Sequence, residues 1–368
     1  MSRTLFYTFL AFYTSAIVYL GNSLPIGPHE ATVYYTDNSV LYFLTHLLEN
    51  YFDDSLAFRL PFLFFGFLNI PLFFIMSRLY FDTPKESYLA TSIYLLLPGI
   101  ITSTVLVNIS VLVITFVLLF IIFYEKKIII GQAFSMLLLL LLHDASIIFF
   151  IGLAILFAVK QKRKRFIIAL LFGIISLYFN GLDIGGRPTG EFLQLFGLYM
   201  ALFSPLVFLY FFYALYRISL REEKDILWYI SFMAFVFSIL LSLRQQVDMT
   251  DFAPYVVVSV VLMLLTYYKS ICVRLPQFQK AYRFGFNIVL SSLLFSSSII
   301  LFHPVFFMII DDKSKHFAYP FYQPYWQVLE LHEIGKNCYT VKKKKMQYQL
   351  KYYGIEKCEE STVPKIHK

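Results

Sequence analysis

Three of the polar stretches between apolar runs bring together side chains whose types could do chemistry. The first, PIGPHEATVYYTDNSVLYFL (25–44), carries His29, Glu30 and Asp37 and no Lys or Arg. The second, NGLDIGGRPTGEF (180–192), carries Asp183, Arg187 and Glu191. The third, RQQVDMTDF (244–252), carries Arg244, Asp248 and Asp251. Carboxylates opposite a few arginines suit a reaction in which a base removes a proton while cations hold a leaving phosphate. Solvated loops of any polytopic protein carry such residues too, so spacing by itself leaves both readings open.

The elements that must position these groups follow from composition. The chain has 368 residues, 59% of them hydrophobic and 15% charged, with a mean hydropathy of +0.68. A soluble domain of this size cannot hide so much apolar surface, so lipid is the solvent of most of the chain. The 42 Phe and 28 Tyr suit interface belts, where a ring is buried while a hydroxyl stays wet. The net charge of +8 reflects topology rather than nucleic-acid binding, because the cationic runs lie between spans or in the tail with no aromatic-basic module. The first apolar run continues into YLGNSLPIGP without a small-residue cleavage site, and reads as a retained span. Cys338 and Cys358 either pair, if the tail is outside the cytoplasm, or are unrelated thiols. No metal-binding cysteine spacing is present, and neither metal nor cofactor is expected.

Runs near the length needed to cross a bilayer fall at about 5–22, 56–77, 87–107, 109–124, 128–142, 145–159, 166–180, 192–215, 226–243, 253–268 and 284–302. The reading is an all-α polytopic membrane protein with about eleven transmembrane helices. The run 128–159 divides at LLHDAS, because His143 and Asp144 are costly at mid-membrane and comfortable at an interface. With Arg3 placed inside, the cytoplasmic loops hold Arg78, Lys85, EKK (125–127), KQKRKR (160–165), YRISLREEKD (216–225) and YKSICVRLPQFQKAYR (268–283). The external loops before the tail hold only Arg187 and Arg244, as the positive-inside rule requires. A bacterial inner membrane with a cytoplasmic N-terminus and an external C-terminus is the expected location. Residues 1–303 form the transmembrane domain, with a first external loop at 23–55, and residues 304–368 form an external tail domain. NSVLYFLTHLLENYFDD (38–54) has helical apolar spacing and reads as an interfacial helix or a plain linker. The tail stretch NCYTVKKKKMQYQLKYYGI reads as a small strand-bearing α/β domain. Its lysine run 342–345 is a solvated face or a seat for anionic head groups.

The order of features resembles the GT-C membrane glycosyltransferases, especially the bacterial lipid A aminoarabinose transferases and the protein O-mannosyltransferase-like family. The resemblance runs through HEA (29–31), FRLPF (58–62), LLLPGI (95–100), RQQVDMTDFAPYVVVSVVLMLL (244–265) and the tail motif LKYYGI. It implies transfer of a sugar from a polyprenyl-phosphate-linked donor to a lipid, glycan or protein acceptor, with inversion. It also implies catalytic roles among Glu30, His29 and Asp37, donor-phosphate binding by Arg59, Arg187 and Arg244, and an acceptor pocket including Asp251, Tyr255 and Tyr35. His29 stands where the family has its first Asp. Three readings therefore stay open: Glu30 is the base with His29 as partner, Asp37 has taken over, or the protein is a non-catalytic relative that binds polyprenyl lipid or aids surface-glycan assembly. A glycan polymerase or a transporter fits less well, since no internal repeat is present and charges sit at span ends. Nucleic acid is not an expected partner.

Overall fold

The computed structural model describes residues 1–36, 39–48, 56–180 and 191–358, with only the backbone described for Asn180. Its elements are α-helices: α1 (Arg3–Ser23), α2 (Pro28–Thr36), α3 (Val40–His46), α4 (Leu60–Arg78), α5 (Pro84–Leu96), α6 (Pro98–Val105), α7 (Ser110–Glu125), α8 (Ile129–Leu142), α9 (Ser146–Val159) and α10 (Arg163–Asn180). There follow α11 (Phe192–Phe203), α12 (Pro205–Arg221), α13 (Ile226–Ser242), α14 (Met249–Val256), α15 (Val260–Cys272), α16 (Pro276–Leu301), α17 (His303–Ile309), α18 (Tyr319–Glu333) and α19 (Lys344–Tyr352).

Among the described residues, four continuous helical segments are long and apolar enough to cross a membrane: Arg3–Ser23, Ala57–Arg78, Met249–Cys272 and Pro276–Leu301. Two bent pairs, α5 with α6 and α11 with α12, raise the number to six if each is one span. The expected runs all fall on helices, but not every helix qualifies by length and composition. Helices α7, α8, α9 and α13 have 16, 14, 14 and 17 residues. At 1.5 Å per residue the shortest of these reach about 21 Å, less than a hydrocarbon core of about 30 Å. Helix α10 opens on Arg163, Lys164 and Arg165, which adds charge to an apolar run.

The breaks have local causes. Leu97 is extended, as a residue before proline prefers, and α5 and α6 meet there at 65°. At Ser204–Pro205 the axis turns by 104°, and Ser204 takes φ +85°, a region non-glycine residues avoid. Hydroxyls inside the apolar helices bond back to the preceding turn, as Thr91 does to the Ser87 carbonyl and Thr115 to that of Val111.

Two compact units emerge. One comprises Met1–Thr14, Phe64–Thr104 and Asn108–Ile300. Its interior holds the aromatic stack of Tyr199, Phe203, Phe208, Phe211 and Phe235. Helix α16 turns Phe284, Ile288, Leu294 and Phe295 outward, as a lipid-facing helix does. The other unit comprises Ser15–Leu63, Val105–Val107 and Leu301–Lys368. The tail does not stand apart: α19 packs on α2, and the Gln349 amide donates to the Ile26 and Pro320 carbonyls. Phe321 closes on Gly27, where a β-carbon would come within 2.5 Å of its ring.

The expected strand-bearing tail is helical instead. Among the described residues there is no strand, only an isolated bridge between Cys338 and Glu356. Three β-type residues run together at 339–341, while Lys, Met, Gln and Leu from 344 onward favour helix. Leu350 and Ile355 pack with Val328 and Leu331 into a small core, and a Cys338–Cys358 disulfide closes it. Within the stretch 38–54, Val40–His46 is helical (α3, capped by Ser39), and residues 38 and 49–54 lie outside the described ones.

Candidate functional site

The second unit is built around a buried ion pair. Arg59 is fully buried and Glu30 is 2% exposed. Arg59 Nε donates to Glu30 Oε1 at 3.0 Å and Nη2 to Oε2 at 2.6 Å. The remaining guanidinium protons go to the Gly21, Leu24 and Pro25 carbonyls. Glu30 Oε1 also accepts the Val107 N–H, and Oε2 the Gly27 N–H. All five guanidinium donors and both carboxylate oxygens are thereby used. Glu30 sits in the first turn of α2 and Arg59 in the 3₁₀ turn leading into α4, so the pair joins two motifs 29 residues apart. Tail aromatics flank the loop. The Ile26 N–H donates to the Tyr353 hydroxyl, and Tyr34 and Phe58 meet Tyr352 edge-on. Burial pushes the Tyr352 hydroxyl up to about 12.

This geometry makes Glu30 a structural acceptor, because a base needs a free lone pair and here each oxygen already takes two N–H donors. Arg59 likewise has no proton left for a lipid phosphate. His29 is exposed beside the pair. Tyr35 stacks on Tyr348, under the Lys351 ammonium at 4.7 Å. Asp37 and Arg187 lie outside the described residues.

The first unit holds a second polar centre. His143 ends α8 and is 5% exposed; Asp251 lies in the first turn of α14. His143 Nε2 and Asp251 Oδ1 are 3.4 Å apart, and the Asp251 side chain is 42% exposed. Tyr255, one turn further along α14, is fully buried, edge-on to His143 and stacked on Phe149. His143 Nδ1 and the Tyr255 hydroxyl have no hydrogen-bond partner. The α14 start is held by two contacts: the Ser110 hydroxyl donates to the Thr250 carbonyl, and Asp248 caps the helix through the Thr250 N–H. Arg244 is exposed on the turn before α14. Asp251 and Tyr255 are thus brought together, and His143 joins them. Sequence reasoning used His143 only to divide a long apolar run; the same interruption of that run by a His–Asp dipeptide was the signal for a polar centre.

No protein-family model matches this chain, and neither does any curated protein or solved structure.

Proposed function

We propose that the chain is a membrane-embedded glycosyltransferase. It moves a sugar from a polyprenyl-phosphate-linked donor to a hydroxyl of a lipid, glycan or protein acceptor on the external face, with inversion. The observation that supports this best is the joining of HEA and FRLPF, the two early motifs of the resemblance, through the Glu30–Arg59 pair. Of the candidate arginines Arg59, Arg187 and Arg244, Arg244 is described and exposed, before α14, where it could meet a leaving phosphate. Charge neutralisation and orientation are most of what such a donor needs, since its leaving group is built in.

The proposed topology has eleven crossings. The first loop and the tail are hydrogen-bonded to each other, so they share a side of the membrane and an even number of crossings separates them. With six spans, α1 precedes the loop and five follow, which is odd; with eleven, ten follow. The Met1 amine reaching the Lys85 carbonyl is compatible with either number, since the two crossings α1 and α4 separate these residues. Counting the shorter helices as spans implies local bilayer thinning, a modest cost per ångström. The tail disulfide suits an oxidising, external compartment.

A catalytically silent, lipid-binding relative is the second reading, favoured by the full occupation of Glu30. The test is purified protein in liposomes carrying a panel of polyprenyl-phosphate sugars. Release of polyprenyl phosphate is scored beside lipid binding by native mass spectrometry. Release is the expected result; binding without release supports the silent relative; neither sinks both readings.

A further inference from the structure

We propose that Asp251, held by His143, is the carboxylate that takes the proton from the acceptor hydroxyl, in place of Glu30. The proposal rests on the glycosyltransferase reading. It starts from a contrast between the two centres. Glu30 is enclosed and saturated, whereas Asp251 has one oxygen beside His143 and a side chain 42% exposed.

The second observation is a pair of enclosed polar atoms without partners, His143 Nδ1 and the Tyr255 hydroxyl. Leaving such a group unpaired costs about 1–3 kcal/mol each. Two of them flanking one carboxylate in an apolar bundle mark a place that a hydroxyl-bearing ligand completes. The carboxylate itself is firmly placed, because the Ser110 bond and the Asp248 cap hold the start of α14.

The step balances as follows. The acceptor O–H proton passes to Asp251 Oδ2. The acceptor oxygen forms its bond to the anomeric carbon as the anomeric carbon–phosphate oxygen bond breaks. The electron pair of that bond leaves with the polyprenyl phosphate, and the proton on Asp251 is then lost to water. His143 Nε2, 3.4 Å from Asp251 Oδ1, holds that oxygen by charge and proximity and leaves the other free; it is a positioning residue.

The experiment is Asp251→Ala in the liposome assay, with and without added formate. The expected result is at least about a hundredfold loss of transfer, unchanged polyprenyl-phosphate binding, and partial recovery with formate, which replaces a missing base but not a missing prop. His143→Gln is expected to lower kcat with the donor KM unchanged. An active wild type with an unaffected Asp251→Ala variant overturns the proposal alone, as does a loss that formate does not relieve. A wild type inactive on every donor overturns the underlying reading and the proposal with it.

Discussion

At the residue scale, Glu30 and Arg59 form a buried ion pair in the second unit. Two charges are withdrawn from solvent, and each is compensated by the other and by backbone groups. Such a pair adds little net stability over an apolar one, but breaking it by removing one partner is costly. Glu30→Gln leaves Arg59 buried with its charge uncompensated and sets an amide N–H₂ against the Gly27 or Val107 N–H. The expected loss is about 3–5 kcal/mol, read as a lower unfolding temperature in detergent; an unchanged temperature would refute the structural role. Loss of activity in that variant therefore says nothing about catalysis unless folding is measured with it.

At the element scale, helix α13 begins at an N-cap that titrates. The Asp225 carboxylate accepts the Trp228 N–H at 2.9 Å. Burial pushes its pKa up to about 6, against the lowering effect of that N–H. A carboxyl with a raised folded-state pKa binds its proton more tightly in the folded state. Its contribution to stability is full below pH about 4 and is lost as pH rises through about 6. Asp225→Asn keeps a capping oxygen and cannot ionise. The variant is expected to gain on the wild type in thermal unfolding between pH 4 and pH 7, with no gain below. The same gain at every pH would show that the cap, not its charge, matters.

At the scale of the whole molecule, the crossing number decides which loops face the donor. Cys272, at the end of α15, is exposed and is the one free cysteine among the described residues. Eleven crossings put it in the cytoplasm. A membrane-impermeant maleimide is expected to miss it in intact cells and to label it after permeabilisation. Labelling from outside would sink the proposed orientation.

Helix positions were legible in the linear chain because apolar runs and their charged flanks are local signals. The eleven runs recur as helices or bent pairs, and LLHDAS does separate α8 from α9. In the tail, Tyr, Thr and Val with alternating Lys pointed to strand, while α19 is fixed by burying Leu350 in the core with Val328, Leu331 and Ile355. The roles of the polar residues were not legible. Glu30 and Arg59 stand 29 positions apart, and His143 and Asp251 are separated by five helices, α9 to α13. Whether a carboxylate is saturated or open depends on which backbone N–H groups the fold brings to it. The sequence by itself determined a lipid-embedded helical chain with candidate acids in three of its loops. Only the tertiary structure decided that Glu30 is closed by four donors while Asp251 stays open, since hydrogen-bond satisfaction is a property of packing and not of residue order.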